Sequence, residues 1–417
     1  MIKVQKLDSG VRLVTESIPH VQSVSIGIWV KAGSVNEKPA EAGISHFIEH
    51  MMFKGTKKRS AKEIAQHADM IAGQLNAFTG REATCYYIKT LKSNTGKALD
   101  LLLDIFLESV FDTAEMNKER NVILEEMKMA EDTPEDDIHD TICQLVFNDD
   151  ALGRPIIGNV ESLKAIDRSR IISYIEKRYI PENIVVSVSG NFDEDRVRDH
   201  LNEKMVFGDD IVHREATGRR KEFSPWFRSK TKDIEQSHVA LATTSICRTD
   251  LLYDAFAVVN NIFGGSMSSR LFQSIREEQG LAYSVYSMNA PYTNEGYFLI
   301  YAGVGHYKVE QCIGAIRHEL EHLMKYSVSR DEVAMAKEQI KGSYIYGSEN
   351  INNRMYRNGQ NLLLDDLVRE DEEIIDRINR VGIEEINEVI NIISDIHTYS
   401  GACISDRDVN IRKLVQE

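Results

Sequence analysis

Apolar and polar positions alternate with period two in several stretches. VSIGIWVKAGS from Val24, NIVVSVSGNFD from Asn183, HVALATTSICR from His238 and HTYSGACISDR from His397 each predict a strand closed by a polar turn. MIKVQKLDSGVRLVTE at the start reads as a strand, a Ser-Gly turn and another strand. Strands also come in groups, in GQLNAFTGREATCYYIKTL around 73–91 and LAYSVYSMNAPYTNEGYFLIYAGV around 281–304. Elsewhere the apolar period is helical. KALDLLLDIFLESVF and TAEMNKERNVILEEMKMAED form one consecutive helix pair; KVEQCIGAIRHELEHLMKY and SVSRDEVAMAKEQIKGSYIYG form another. Thr113 and Ser329 are the candidate N-caps of the second helix in each pair.

These patterns repeat. The strands from Val24 and His238 are 238 − 24 = 214 residues apart, and those from Asn183 and His397 are again 397 − 183 = 214 apart. The two candidate caps differ by 329 − 113 = 216. Three near-equal offsets point to an internal duplication. Between the copies, DDIVHREATGRRKEFSPWFRSKTKD is polar and basic and holds one of seven prolines, as a linker would. The expected organisation is a first domain at 1–210, a linker at 211–232 and a homologous second domain at 233–417. Grouped strands and consecutive helices predict the α+β class, each domain a mostly antiparallel sheet with helices on one face.

Composition narrows the partners. A chain of 417 residues, 42% hydrophobic and 28% charged, is ordinary for a water-soluble protein of two or three domains. No run approaches the roughly 18 apolar residues of a membrane span, and the N-terminus has no signal-peptide core. No membrane association is expected. The net charge of −15 repels phosphate backbones, which argues against nucleic acid. Five cysteines, an odd number without a CxxC pair, suit a reducing cytoplasm.

Two places carry histidines four apart with a glutamate between them: His46, Glu49 and His50, and His318, Glu321 and His322. Residues four apart on a helix differ by about 40°, so either pair can reach one zinc ion. The context decides. The later helix has one apolar stripe through Val309, Cys312, Ile316, Leu320 and Leu323, and both histidines lie off it, on the wet face. The earlier helix, AGISHFIEHMMFKGT, is apolar nearly all round and is expected to be buried, with Gly55 closing its C-terminus. Two histidines and a glutamate in one sector of a buried helix need partners, and a metal supplies them. A third ligand is available on the helix that carries Glu119, Glu125 and Glu126. Glu119 and Glu126, seven apart, lie within about 20° of each other, so one can bind metal while the other orients a histidine. Glu125 points elsewhere and is expected in solvent.

HFIEHMMFKGT, followed by ERNVILEEMKMAEDTP, resembles the inverted zinc motif of the insulinase/pitrilysin peptidases, and FGGSMSSRLFQSIREEQGLAYSVYS resembles the signature of that family's second domain. The similarity runs over essentially the whole chain and is nearest to the short-subunit branch of bacterial processing proteases and the mitochondrial processing peptidase. It implies one zinc per chain on His46, His50 and Glu126, with Glu49 as general base activating water at the zinc and Glu119 beside the ligands. It implies that Arg276 and Tyr283 come to the substrate carbonyl, and that Asn76, Ala77 and Phe78 lie on an edge strand that pairs with bound peptide. Ala83 stands where many relatives carry histidine.

The activity so implied is zinc-dependent endopeptidase cleavage of short or unfolded peptides inside a closed chamber. A chain of this length resembles half of the long single-chain relatives, so a homodimer is the expected assembly. The alternative is a non-catalytic peptide-binding subunit of a hetero-oligomeric peptidase, but no zinc or base residue is lost here. A purely structural zinc site fits less well, because it would need a fourth ligand where Glu49 leaves room for water. The duplication adds a contrast. Positions 214 beyond His46 and His50 are Asn260 and Gly264, so the second copy carries no metal pair there.

Overall fold

The computed structural model describes residues 1–148, 150–207 and 223–417. The first half runs β1 Ile2–Lys6, β2 Arg12–Ser17, β3 Ser23–Val30, α1 Ile44–Met52, α2 Ala61–Met70, β4 Gln74–Thr79 and β5 Thr84–Leu91. It continues through α3 Thr95–Glu108, α4 Thr113–Asp132, α5 Pro134–Phe147, α6 Val160–Ala165, α7 Arg168–Arg178, β6 Ile184–Gly190 and α8 Glu194–Lys204. The second half has β7 Phe227–Thr231, β8 Ser237–Ser245, α9 Tyr253–Phe263, β9 Ala282–Pro291, β10 Gly296–Val304, α10 Val309–Tyr326 and α11 Arg330–Ser348. It closes with α12 Ile351–Asp365, α13 Asp371–Arg380, α14 Ile383–Ile393, β11 Ser400–Ser405 and α15 Ile411–Gln416.

Two sheets result, and the fold is α+β as expected. The first has the order β1-β2-β6-β3-β5-β4, antiparallel throughout except β2 with β6. The second has the order β7-β11-β8-β10-β9, antiparallel except β7 with β11. Period-two burial explains the layers. Leu13, Ile26, Ile28, Tyr86, Ile88 and Val186 turn one face of the first sheet to a core shared with Phe47, Ile48, Leu102 and Ile105 of the helices. Val14, Trp29, Cys85 and Val185 turn the other way.

That second face is covered by a helix from the other half of the chain. α12 packs on β2, β3 and β6 through Leu362, Leu363 and Leu364. Reciprocally, α5 packs on β8 and β11. The compact units therefore exchange segments. One holds Met1–Met127, the described part of 155–218 and Tyr346–Glu370; the other holds Lys128–Arg154 and most of the remainder. Each sheet thus carries a helix on its second face, beyond the one-face layer the sequence predicts.

Of the expected linker at 211–232, residues 211–222 lie outside the described part. Phe227–Thr231 is strand β7, paired parallel with Gly401–Ser405. Its polar look reflects its place at a sheet edge, where three of its five residues face water. One of the two expected caps differs. Asp112, not Thr113, accepts from the Ala114 and Glu115 amides at the start of α4. Ser329 does cap α11, with its hydroxyl on the Glu332 amide and the Glu332 carboxylate on its own amide.

Candidate active site

Helix α1 is seated before it is functional. Ile44, Phe47, Ile48, Met51 and Met52 are all buried, as the all-round apolar pattern predicts. Its N-terminus begins at Gly43 with φ +88, where a Cβ would fall 2.5 Å from the Ile157 carbonyl oxygen. The cap is remote: the buried Glu37 carboxylate accepts from the amides of Gly43 at 2.7 Å and Ser45 at 2.9 Å. Ser45 Oγ also meets Tyr174 Oη at 2.9 Å. The helix stops at Met52, and Gly55 (φ +127) serves the following turn.

The imidazoles of His46 and His50 lie 4.6 Å apart between ring centres. Glu126 Oε2, from α4, stands 3.8 Å from His46 Nε2 and 3.5 Å from His50 Nε2. One ligand atom from each residue lies within 4.8 Å of the others. A tetrahedral zinc with ligands about 2.0–2.1 Å away needs donor atoms roughly 3.3–3.5 Å apart, so this trio fits such an ion with small adjustment. It is the one His/Cys/Asp/Glu group of this kind among the described residues. Burial, then the charge of His50, holds His46 down to about 4, so its ring is a neutral ligand at pH 7. Glu126 has a side chain 47% exposed, which leaves one side of the trio open to water and ligands.

Glu119 takes the other role that helical spacing allows. Its Oε2 lies 3.1 Å from His50 Nδ1, and its Oε1 lies 2.6 Å from Lys54 Nζ. Glu125 is exposed. Glu49 accepts a short hydrogen bond from the Thr79 hydroxyl. Burial raises its pKa above the ordinary carboxylate value, opposed by the Thr79 contacts and the charge of His50 and reinforced by Glu126. A carboxyl so placed is suited to exchange a proton with a neighbouring group.

Thr79 ends β4, so the edge strand and Glu49 are directly linked. β4 pairs with β5 along one edge only and closes the sheet. Ala77 is buried toward the α1 side, while Asn76 and Phe78 are exposed on the opposite face. The Asn76 side-chain oxygen accepts from the Ala77 amide at 2.9 Å. Phe78 packs edge-on against Trp29 and Tyr356, each ring centre 5.5 Å away. Ala83 is buried in the core between this sheet and α12, away from the trio.

In the second unit, the Arg276 guanidinium is sandwiched between the rings of Phe272, 4.7 Å away, and Tyr283, 4.8 Å away. It sits in a π-helical stretch, Phe272–Glu278, and Tyr283 is 79% exposed. The two residues are brought together, with Phe272 as a third member that pattern reading passed over. His318 and His322 have ring centres 6.3 Å apart on α10 and join no metal-ligand group among the described residues. At Gly264, a Cβ would fall 2.5 Å from the Ser287 amide nitrogen, so no histidine fits there.

Comparison with known proteins places the chain in a family. Residues 12–160 match the model of the insulinase family (peptidase family M16), and residues 165–340 match its inactive domain. The chain is 42% identical over 389 residues to the uncharacterized zinc protease YmxG of Bacillus subtilis, covering 93% of this chain and 94% of that one. It belongs to the insulinase family. An uncharacterized zinc protease of Streptomyces coelicolor is 38% identical over 364 residues, covering 86% of this chain and 79% of its own. The fold also matches a protease from Helicobacter pylori, with a TM-score of 0.89 at 21% identity over 97% of this chain and 99% of that one.

Proposed function

We propose that this chain is a zinc-dependent endopeptidase that hydrolyses short or unfolded peptides. The observation that carries the reading is the trio of His46, His50 and Glu126, with Glu49 one residue before His50 and bonded to the edge strand. A zinc ion held by the trio supplies Lewis acidity, which acidifies water and polarises a carbonyl. The remaining steps fall to the chain. Glu49 accepts the proton of the attacking water and delivers it to the leaving amine. Glu119 holds His50 in the tautomer that leaves Nε2 free. The free edge of β4 at Asn76, Ala77 and Phe78 offers main-chain hydrogen bonds to an extended peptide, a mode tolerant of side chains. Arg276 and Tyr283 donate to the carbonyl oxygen as it gains charge.

The names of the relatives, zinc proteases, favour the same chemistry. The resemblance supports two finer assignments, one zinc per chain and a closed chamber shared by two copies, and the five free thiols support a cytoplasmic location. Glu49→Gln tests the reading. The variant keeps its zinc, and peptide turnover falls by about 10²–10⁴-fold. Turnover that survives the substitution with zinc in place removes Glu49 from the chemistry. A zinc-loaded wild type that cleaves no peptide returns the chain to the non-catalytic class.

A further inference from the structure

We propose that Lys54 is a positioning residue of the metal centre, acting through Glu119 on the tautomer of His50. The proposal rests on the zinc reading of His46, His50 and Glu126. Glu119 is 7% exposed, and a buried carboxylate is tolerated only with partners. It has one on each oxygen: His50 Nδ1 at 3.1 Å and Lys54 Nζ at 2.6 Å.

The direction of the first bond follows from the donor inventory. A carboxylate only accepts, so His50 Nδ1 carries the hydrogen. The lone pair is then on Nε2, the atom 3.5 Å from Glu126 Oε2. Glu119 can enforce this only while it is held in one orientation. The ammonium of Lys54 holds it, because it pins the second oxygen at 2.6 Å.

The lysine is itself held. Its amide donates to Met51 O at 3.0 Å, just past the end of α1. The turn after it is tied down, with Val110 N on Gly55 O at 3.2 Å and Thr56 Oγ1 on Asp104 Oδ2 at 2.8 Å. Lys54 therefore leaves the helix that carries both histidines at a fixed point and returns its charge to their partner. Sequence spacing conceals this, since Lys54 lies beyond the last helical residue and reads as one cation in a basic run, KGTKKR.

The test uses the full chain, stripped of metal, with Lys54→Met, Lys54→Arg, Glu119→Gln and the double variant Lys54→Met/Glu119→Gln. Zinc affinity is read by competition with a chromophoric chelator. Lys54→Met loses about 10–100-fold, as removal of outer hydrogen-bond partners does elsewhere. Lys54→Arg stays within a few-fold. The double variant matches Glu119→Gln, because Lys54 has no other route to the metal. A second readout is the ¹⁵N spectrum of the His50 ring in the metal-free protein: one Nδ1–H tautomer in the wild type, a mixture in Lys54→Met. Should Lys54→Met fold poorly by circular dichroism, Lys54→Gln takes its place. Wild-type zinc affinity in Lys54→Met, or in Lys54→Gln where it replaces it, overturns the proposal, and so do losses that multiply in the double variant. Neither readout uses turnover, so both decide the role of Lys54 even in a protein that cleaves no peptide offered to it.

Discussion

His139 shows at the single-residue scale how burial writes pH dependence into this chain. It lies on α5 against the rings of Tyr286 and Tyr301, with Nε2 2.8 Å from the Tyr286 hydroxyl. Burial lowers its pKa below the ordinary histidine value, while Glu135, Asp136 and Asp140 pull it back in part. His238, bonded to the Tyr301 hydroxyl at 2.8 Å, is also lowered by burial. The folded chain holds both rings neutral where the unfolded chain, with its histidines near pH 6.5, takes up protons. Stability therefore falls as pH drops through 6.5 toward the lowered values. We expect a lower urea midpoint at pH 5.5 than at pH 7.5, and a smaller difference in His139→Phe, which keeps a ring against the tyrosines. An equal difference in the two proteins, followed by near-ultraviolet circular dichroism, would show that His139 is not a source of it. At this scale the sequence was readable wherever chemistry followed helical spacing. His46, Glu49 and His50 lie on one helix, and Glu119 and Glu126 on another, each set in one angular sector. Thr79, Glu37 and Lys54 were not readable, because each reaches the site from a strand end or a turn and no periodicity records such a reach.

Among the elements, α12 depends most on one small residue. Gly359 faces the indole of Trp29 so closely that a Cβ would fall 2.2 Å from Nε1 and 3.0 Å from Ser187 Cβ. Trp29 is 2% exposed and packs edge-on with Phe78, so it has little room to retreat. Gly359→Ala gains helix propensity of about 1 kcal/mol. It also forces overpacking that costs about 1–3 kcal/mol or more. With two contacts this short, the second effect wins. We expect the melting temperature to fall by several degrees, at about 2–4 °C per kcal/mol for a unit of this size. A melting point equal to or above that of the wild type would mean that α12 shifts freely over β3. Amphipathic period placed α12 and α5 as helices, and alternation placed the strands beneath them. Which sheet each helix covers was not legible. An apolar stripe specifies that something must cover it, and either half of the chain offers a sheet face of suitable chemistry.

That ambiguity sets the behaviour of the whole molecule. Each compact unit takes one helix from the other half of the chain: α12 covers Val14, Trp29, Cys85 and Val185, and α5 covers the second face of β8 and β11. A fragment holding only 1–210 would leave the first face bare. Burying one large apolar side chain contributes about 1.5–3 kcal/mol. Trp29 with Leu362, Leu363 and Leu364 of α12 then accounts for an amount comparable to the 5–15 kcal/mol that stabilise a typical domain. We therefore expect fragments 1–210 and 223–417, expressed separately, to be insoluble or rapidly digested by trypsin. The same fragments expressed together should assemble, because each then finds its missing helix and the backbone link between halves adds only effective concentration. The measurements are protease resistance and co-purification of an untagged fragment with its tagged partner. A separately expressed 1–210 fragment that resists trypsin and melts cooperatively would mean that the face around Trp29 is stable without α12, and that the exchanged helices are ornaments of the fold and not conditions for it.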